Sequence, residues 1–276
     1  MEVRELALRV VTSPSLDDKL RPERLERLTD RTPGPALRLD APAREPQLRI
    51  VSTRDARIKV PSPQGMGDPA QRRRILNALA NHELQAAELF AWALLAFPDA
   101  DPEFRRGLLE ILDDEQRHTR MYIARLEAHG ARFGDWPVTG YFWNKIDGLT
   151  SPLAFACTMG LTFENANLDH TREYAEYARS GGDLKTAAVI DRVHLDERRH
   201  VRFGWTWLLR LKAADQEPWD AYRQALGWPL RPSKARGARF ERAAREAAGL
   251  DDDFIRRLEA STPELDRGAA RRACAD

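Results

Sequence analysis

Two short strings that nearly repeat each other constrain the fold of this chain more than any other feature. Residues 114–118 read Asp-Glu-Gln-Arg-His and residues 196–200 read Asp-Glu-Arg-Arg-His, so both follow the pattern Asp-Glu-x-Arg-His. In a helix, the Glu and the His of each string lie on the same face. That face is otherwise apolar, and the interior of a helical bundle accepts such polar groups only when they have partners. The pattern therefore predicts buried helices that meet at a polar layer.

The apolar spacing around the first string predicts a helical hairpin. Apolar residues recur at three- and four-residue steps through 76–94 and again through 108–126. The sequence Phe-Pro-Asp-Ala at 97–100 ends the first predicted helix, and Asp101 followed by proline starts the second. Gly130 supplies a C-terminal stop.

A second hairpin of the same kind is predicted around the second string. Ser151 followed by proline opens a third helix, and Ser-Gly-Gly at 180–182 ends it. Asp183 then caps a fourth helix whose apolar stripe continues to Leu211. Four long helices in two hairpins predict an all-α fold built on a four-helix bundle.

The remaining residues are predicted to flank this bundle. Prolines recur in the first part of the chain, which excludes long helices there and leaves room for a short helix near 2–11 and an extended segment near 47–60. Short helices follow the bundle, and a polar tail begins at about Thr262. The predicted division is an irregular N-terminal arm at 1–68, the bundle with its metal site at 69–213, and a C-terminal helical extension with its tail at 214–276.

Composition narrows the classes of function. With 44 Lys and Arg against 43 Asp and Glu, the formal net charge is +1, so no overall field attracts nucleic acid or an anionic membrane. The two cysteines, Cys157 and Cys274, are too few for a disulfide scaffold or a cysteine-based metal site. The charged N-terminus and the absence of a long apolar run predict a soluble, cytoplasmic protein without a membrane partner. No P-loop, GxGxxG or GxSxG string is present.

The other two predicted helices each offer one glutamate at the level of the Glu-x-x-His pairs. In a hairpin, residues equidistant from the turn lie side by side. Glu83 and Glu115 lie about 13 and about 14 residues from the first turn, and Glu164 and Glu197 lie about 15 and about 14 residues from the second. All four carboxylates can therefore share one layer.

The nearby polar and aromatic residues are predicted to have other roles. Glu88 lies about 9 Å above the layer, so we expect it to support the ligands or to be exposed. His82 is interpreted as a solvated or hydrogen-bonded helix residue. Tyr122 and Cys157 are interpreted as core residues.

This residue set points to a dimetal centre. One glutamate from each of two helices and a Glu-x-x-His pair from each of the other two form the ligand set of di-iron and di-manganese carboxylate bundles. Four negative charges balance two divalent cations, and carboxylates with imidazoles suit iron or manganese. We expect two iron ions, with Mn/Fe and Mn/Mn pairs as alternatives. The predicted ligands, through which the metals would carry catalysis, are Glu83, Glu115, His118, Glu164, Glu197 and His200.

Together with residues 81–89, Asn-His-Glu-Leu-Gln-Ala-Ala-Glu-Leu, the two strings resemble the ferritin-like di-iron carboxylate superfamily. Over most of its length the chain is most similar to an uncharacterised bacterial ferritin-like family of unknown function. Soluble di-iron monooxygenases also use Asp-Glu-x-Arg-His. That resemblance implies that Asp114 and Asp196 orient the ligand histidines, and that Arg117 and Arg199 pair with these aspartates across the helices.

The resemblance implies an oxidoreductase. A di-iron or Mn/Fe oxygenase or oxidase would activate O2 or peroxide to oxidise or hydroxylate a small organic substrate, and an electron-donor protein could serve it. The N-terminal arm, the loop between the two hairpins and the C-terminal helices make the chain longer than a bare four-helix bundle. A substrate pocket would need such additional segments. Two alternatives stay open: an iron-handling or peroxide-scavenging protein without an organic substrate, and a nucleic-acid modifier similar to tRNA hydroxylases, against which the near-neutral charge argues.

Overall fold

A computed structural model describes residues 1–52 and 59–263 of the chain. These residues are mostly helical, which confirms the predicted all-α class. Within them, no helix is long and apolar enough to cross a membrane. The described α-helices are α1 (Val3–Thr12), α2 (Leu16–Leu20), α3 (Pro69–Ala96), α4 (Pro102–Ala128), α5 (Pro152–Thr158), α6 (Glu164–Ser180), α7 (Leu184–Leu211), α8 (Pro218–Ala225), α9 (Arg242–Ala248) and α10 (Asp252–Ala260).

The contacts within the chain define two compact units. Unit 1 comprises Met1–Ile146 and Tyr174–Val189, and unit 2 comprises Asp147–Glu173 and Ile190–Asp276. Because α6 and α7 each contribute residues to both units, neither unit is a continuous stretch of chain. The division predicted from the sequence, into an arm, a bundle and an extension, stays a prediction.

Unit 1 contains the helical hairpin of α3 and α4, and α4 begins at the predicted signal, Asp101 followed by proline. Asp68 accepts a hydrogen bond from the Gln71 backbone N–H at 2.8 Å, and Asp101 accepts one from the Glu103 N–H at 2.7 Å. Both caps are followed by proline as the first helical residue, where its missing N–H is not needed.

The N-terminal arm is fixed to α3 by buried charges. Glu88 of α3 is fully buried and accepts two hydrogen bonds from the Arg44 guanidinium, at 3.0 and 2.7 Å. The Lys19 ammonium lies 3.1 Å from the same carboxylate, and the Trp143 indole N–H donates to it at 2.9 Å. Burial lowers the pKa of Lys19, and the charge of Glu88 opposes this shift. Glu88 is therefore not exposed: its carboxylate serves to hold the arm.

Three amide side chains of α3 hold the loop that follows α4. Asn77, Asn81 and Gln85 are buried and bond backbone groups of residues 134–142 at 2.9 to 3.2 Å. The loop also forms strand β2 (Val138–Thr139), which pairs in parallel with strand β1 (Ile50–Val51) of the arm. The predicted extended segment is thus present in part as β1, and its residues 53–58 lie outside the described chain.

Asp183, the residue before α7, contacts several polar side chains and backbone groups within unit 1. Its carboxylate lies 2.7 Å from His129 Nε2 and 3.1 Å from Arg125 Nη2, and it accepts a hydrogen bond from the Thr186 backbone N–H at 3.0 Å. The buried Arg72 lies 3.4 Å from the same carboxylate. Burial alone would raise the pKa of Asp183, but hydrogen bonds from Thr186 and His129 outweigh it and lower the pKa to about 2.

In unit 2, the third predicted helix is interrupted. A π-helical turn, Met159–Phe163, separates α5 from α6, where the sequence predicts one continuous α-helix. The C-terminal helices α8, α9 and α10 contribute to a single apolar core with α5, α6 and α7. Core residues include Cys157, Leu161, Leu168, Trp205, Tyr222, Ala248 and Phe254.

A buried ion pair adds to this core. Arg245 of α9 donates two hydrogen bonds to Asp169 of α6, at 2.7 and 2.9 Å. Asp169 also accepts from the backbone N–H groups of Gly237 and Glu241, each at 2.8 Å. The predicted short C-terminal helices are therefore held to α6, whereas residues 264–276 of the predicted tail, with Cys274, lie outside the described residues.

Replacing Glu88 tests the charge that holds the arm. Glu88→Gln leaves Lys19 and Arg44 buried without their counter-charge, so we expect a loss of about 3 kcal/mol or more in the free energy of unfolding by urea. The matched control is Glu23→Gln, which removes a less buried partner of Arg9 and should cost less than about 1 kcal/mol. Equal losses in the free energy of unfolding for the two variants would contradict the role of Glu88 as the buried counter-charge that holds the arm.

Asp183 predicts a specific dependence of stability on pH. Because its pKa falls from 3.8 to about 2 on folding, the charged form stabilises the fold above about pH 4, and this contribution disappears as the pH drops towards 2. Asp183→Asn keeps an oxygen for the Thr186 N–H but removes the charge. We expect lower thermal stability than wild type at pH 7 and convergence of the two proteins between pH 4 and 2. The exposed Asp135→Asn is the control, and a difference independent of pH would contradict this reading.

Candidate metal centre

Three predicted ligands come together in unit 1. Glu83 lies on α3, and Glu115 and His118 lie on α4, one helical turn apart. One ligand atom from each of the three lies within 4.8 Å of the others. His118 Nδ1 is 3.3 Å from Glu83 Oε2 and 3.6 Å from Glu115 Oε2. All three side chains are buried, and the group, here called triad 1, has the geometry to hold a metal ion.

The other three predicted ligands come together in unit 2. Glu164 is the first residue of α6, and Glu197 and His200 lie one turn apart on α7. Their ligand atoms also lie within 4.8 Å of one another, and His200 Nδ1 is 3.1 Å from Glu197 Oε2. This group, triad 2, is equally buried. In both triads it is Nδ1 of the imidazole that faces a carboxylate.

The donors of each triad match the charge of one divalent cation. Two carboxylates and one neutral imidazole carry two negative charges, and burying such charges is costly unless a cation offsets them. Oxygen and imidazole donors suit iron, manganese or zinc. The Cys157 thiol belongs to neither triad: it lies in the core of unit 2, where burial raises its pKa well above the ordinary value.

Asn167, which was not among the residues predicted from the sequence, contacts triad 2 directly. Its side-chain amide donates to Glu197 Oε1 at 2.8 Å, which leaves Oε2 beside His200 Nδ1. Asn167 follows Glu164 by three residues, so the same spacing that identified Glu-x-x-His could have identified this residue. The amide fixes the orientation of a candidate metal ligand.

The Asp and Arg side chains that the two strings share form ion pairs within each helix. Arg117 Nη2 lies 2.6 Å from Asp114 Oδ1, and Arg199 Nη2 lies 2.8 Å from Asp196 Oδ1, each pair within one helix. Both aspartates are buried, and both are adjacent in sequence to a triad glutamate. The implied pairing across the helices, and the orientation of the histidines by these aspartates, stay predictions.

The other nearby candidates lie outside the triads. His82 is partly exposed, and its ring packs at 5.4 Å from Phe142 and 6.5 Å from Tyr141, measured between centroids. Glu88 binds the arm, as described above. Tyr122, one turn after His118, is fully buried, in agreement with its interpretation as a core residue.

Comparison with known proteins gives a family but no activity. A family model described as "Protein of unknown function (DUF455)" matches residues 4–256, nearly the whole chain. No curated protein and no solved structure matches the sequence. The chain therefore belongs to the DUF455 family.

Proposed function

We propose that triad 1 and triad 2 each hold one metal ion, that the helices carrying them belong to a ferritin-like four-helix bundle, and that the protein is a di-iron oxidoreductase. One observation carries this proposal: the same string, Asp-Glu-x-Arg-His, supplies a buried Glu and His to each triad, and each triad gains one further buried glutamate. This is the ligand set of di-iron and di-manganese carboxylate bundles.

Charge supports two metal ions rather than one. Four carboxylates carry four negative charges, which two divalent cations would neutralise, whereas a single ion would match only two of these charges. Glu83, Glu115 and His118 would hold one ion, and Glu164, Glu197 and His200 would hold the other.

Iron bound in this centre would supply electrons to O2 or peroxide. The protein side chains hold the ions, exclude water and keep each imidazole in one orientation. Insertion of one oxygen atom of O2 into a substrate C–H bond converts the other atom to water, which takes two electrons and two protons from a reductant. An electron donor is therefore part of the proposal for O2, whereas peroxide would need none.

The loop that follows α4 favours a function with an organic substrate over iron handling alone. It is tied to α3 by buried amides, and it places Tyr141 and Phe142 against His82, the residue next to the ligand Glu83. The loop thus presents two aromatic rings next to His82, and aromatic surfaces suit the binding of a small organic molecule. Mn/Fe and Mn/Mn pairs fit the same donors as two iron ions.

Removing one carboxylate from each triad tests the ligand assignment. Glu115→Ala and Glu197→Ala should each lose at least one metal ion per chain when the protein is loaded anaerobically with Fe(II) and measured by elemental analysis. Oxidase activity should be lost in both. Glu110→Ala, an exposed glutamate on the same helix as Glu115, is the matched control and should keep the full metal content. Full content in both site variants would refute the assignment.

Exposure to oxygen tests the proposed chemistry. The Fe(II)-loaded protein should contain two iron ions per chain and should show a transient ultraviolet–visible absorbance when O2 is admitted. Protein loaded with redox-inert Zn(II) serves as the control and should show none. Stable binding of two iron ions with no reaction towards O2 or hydrogen peroxide would restrict the centre to a structural role.

A further inference from the structure

The π-helical turn lies directly before the candidate ligand Glu164. The Glu164 backbone N–H bonds the carbonyl of Met159, five residues back, instead of the usual four. One extra residue in a turn rotates all later side chains by about 100° relative to the earlier ones. The direction of the Glu164 carboxylate therefore depends on whether this turn is kept.

Two buried hydroxyls connect the π-helical turn to the C-terminal extension. Thr162, inside the turn, donates to the carbonyl of Cys157 at 2.9 Å. The Tyr222 hydroxyl of α8 lies 2.9 Å from the same Thr162 oxygen, and both side chains are fully buried. Because the hydrogen of Thr162 goes to the carbonyl, Tyr222 must be the donor to Thr162.

The opposite side of the turn is fixed by close packing. A Cβ on Gly160 would lie 2.8 Å from the Cα of Gly204, and one on Gly204 would lie 2.9 Å from the Cα of Gly160. Gly204 follows the candidate ligand His200 by one turn of α7. The π-helical turn is thus held between α7 on one side and the hydroxyl of Tyr222 on the other.

We propose that Tyr222 is a positioning residue for the metal centre: its hydroxyl holds the π-helical turn that aims Glu164 at the metal ion of triad 2. This inference rests on the proposed function. It also gives the C-terminal extension a role, since α8 carries Tyr222. The ring of Tyr222 packs against Trp219 and Phe254, so removal of the oxygen alone leaves its apolar contacts in place.

Tyr222→Phe tests this role in two measurements. In metal-free protein, hydrogen exchange of the backbone amides at 162–164 should become at least about tenfold faster, because the turn opens more often. In Mn(II) titrations followed by the electron paramagnetic resonance of the free ion, one of the two ions should bind at least about tenfold more weakly. The other ion should bind as in wild type.

Two further variants separate positioning from general destabilisation. Thr162→Ser keeps a hydroxyl in the turn and should bind Mn(II) like wild type, whereas Thr162→Val should resemble Tyr222→Phe. Ser261→Ala removes another hydroxyl of unit 2, one that donates to the Arg257 carbonyl at 2.8 Å, and should change neither measurement.

The outcomes distinguish this inference from the proposed function. Unchanged exchange at 162–164 in Tyr222→Phe, or unchanged affinity for both ions, would overturn the positioning role while leaving the metal centre intact. A wild-type chain that binds no Mn(II) and no Fe(II) would refute the metal centre, and with it the aiming of Glu164 at a metal ion. In that case the exchange measurement alone decides whether Tyr222 holds the turn.

Discussion

Buried negative charge is the constraint on which the rest of this structure depends. A carboxylate removed from water must be offset by a cation or by several hydrogen-bond donors. The protein meets this requirement with basic side chains at Glu88, Asp169 and Asp183, whose partners are arginine, lysine or histidine. In the two triads, glutamates lie against imidazoles, and in the proposed function two metal cations would supply the counter-charge.

This requirement explains why segments of irregular sequence are held so firmly. The proline-rich arm forms only short helices, yet its Lys19 and Arg44 are almost fully buried against Glu88. The C-terminal extension likewise supplies Arg245 to Asp169. Both segments place basic side chains against carboxylates of long helices, so each contributes to the buried interior of its own unit.

Local signals in the sequence predicted the helix boundaries well. A cap residue followed by proline predicted the starts of α4 and α5, because both groups act within one turn of the helix. The spacing of Glu and His predicted which side chains share a buried face. These features could be predicted because each depends on residues only a few positions apart.

Features that depend on distant residues could not be predicted in this way. The π-helical turn lies against Gly204, more than forty residues later, and the sequence around Met159 reads as ordinary helix. The role of Glu88 could not be predicted, because its partners, Lys19 and Arg44, lie in a distant segment with no helical pattern. Asn167 is a different case, because it lies only three residues after Glu164. An asparagine on a helix has many roles, so this spacing alone did not identify it as a contact of triad 2.

The discontinuity of unit 1 affects the order in which the protein can fold during synthesis. His129 and Arg125 are made well before Asp183, the carboxylate with which they pair, and the intervening chain belongs to unit 2. Domains that are continuous in sequence can fold as they leave the ribosome. Here the first unit stays incomplete until residues 174–189 have been synthesised, so Arg125 and His129 gain their carboxylate partner only after the first part of unit 2 has been made.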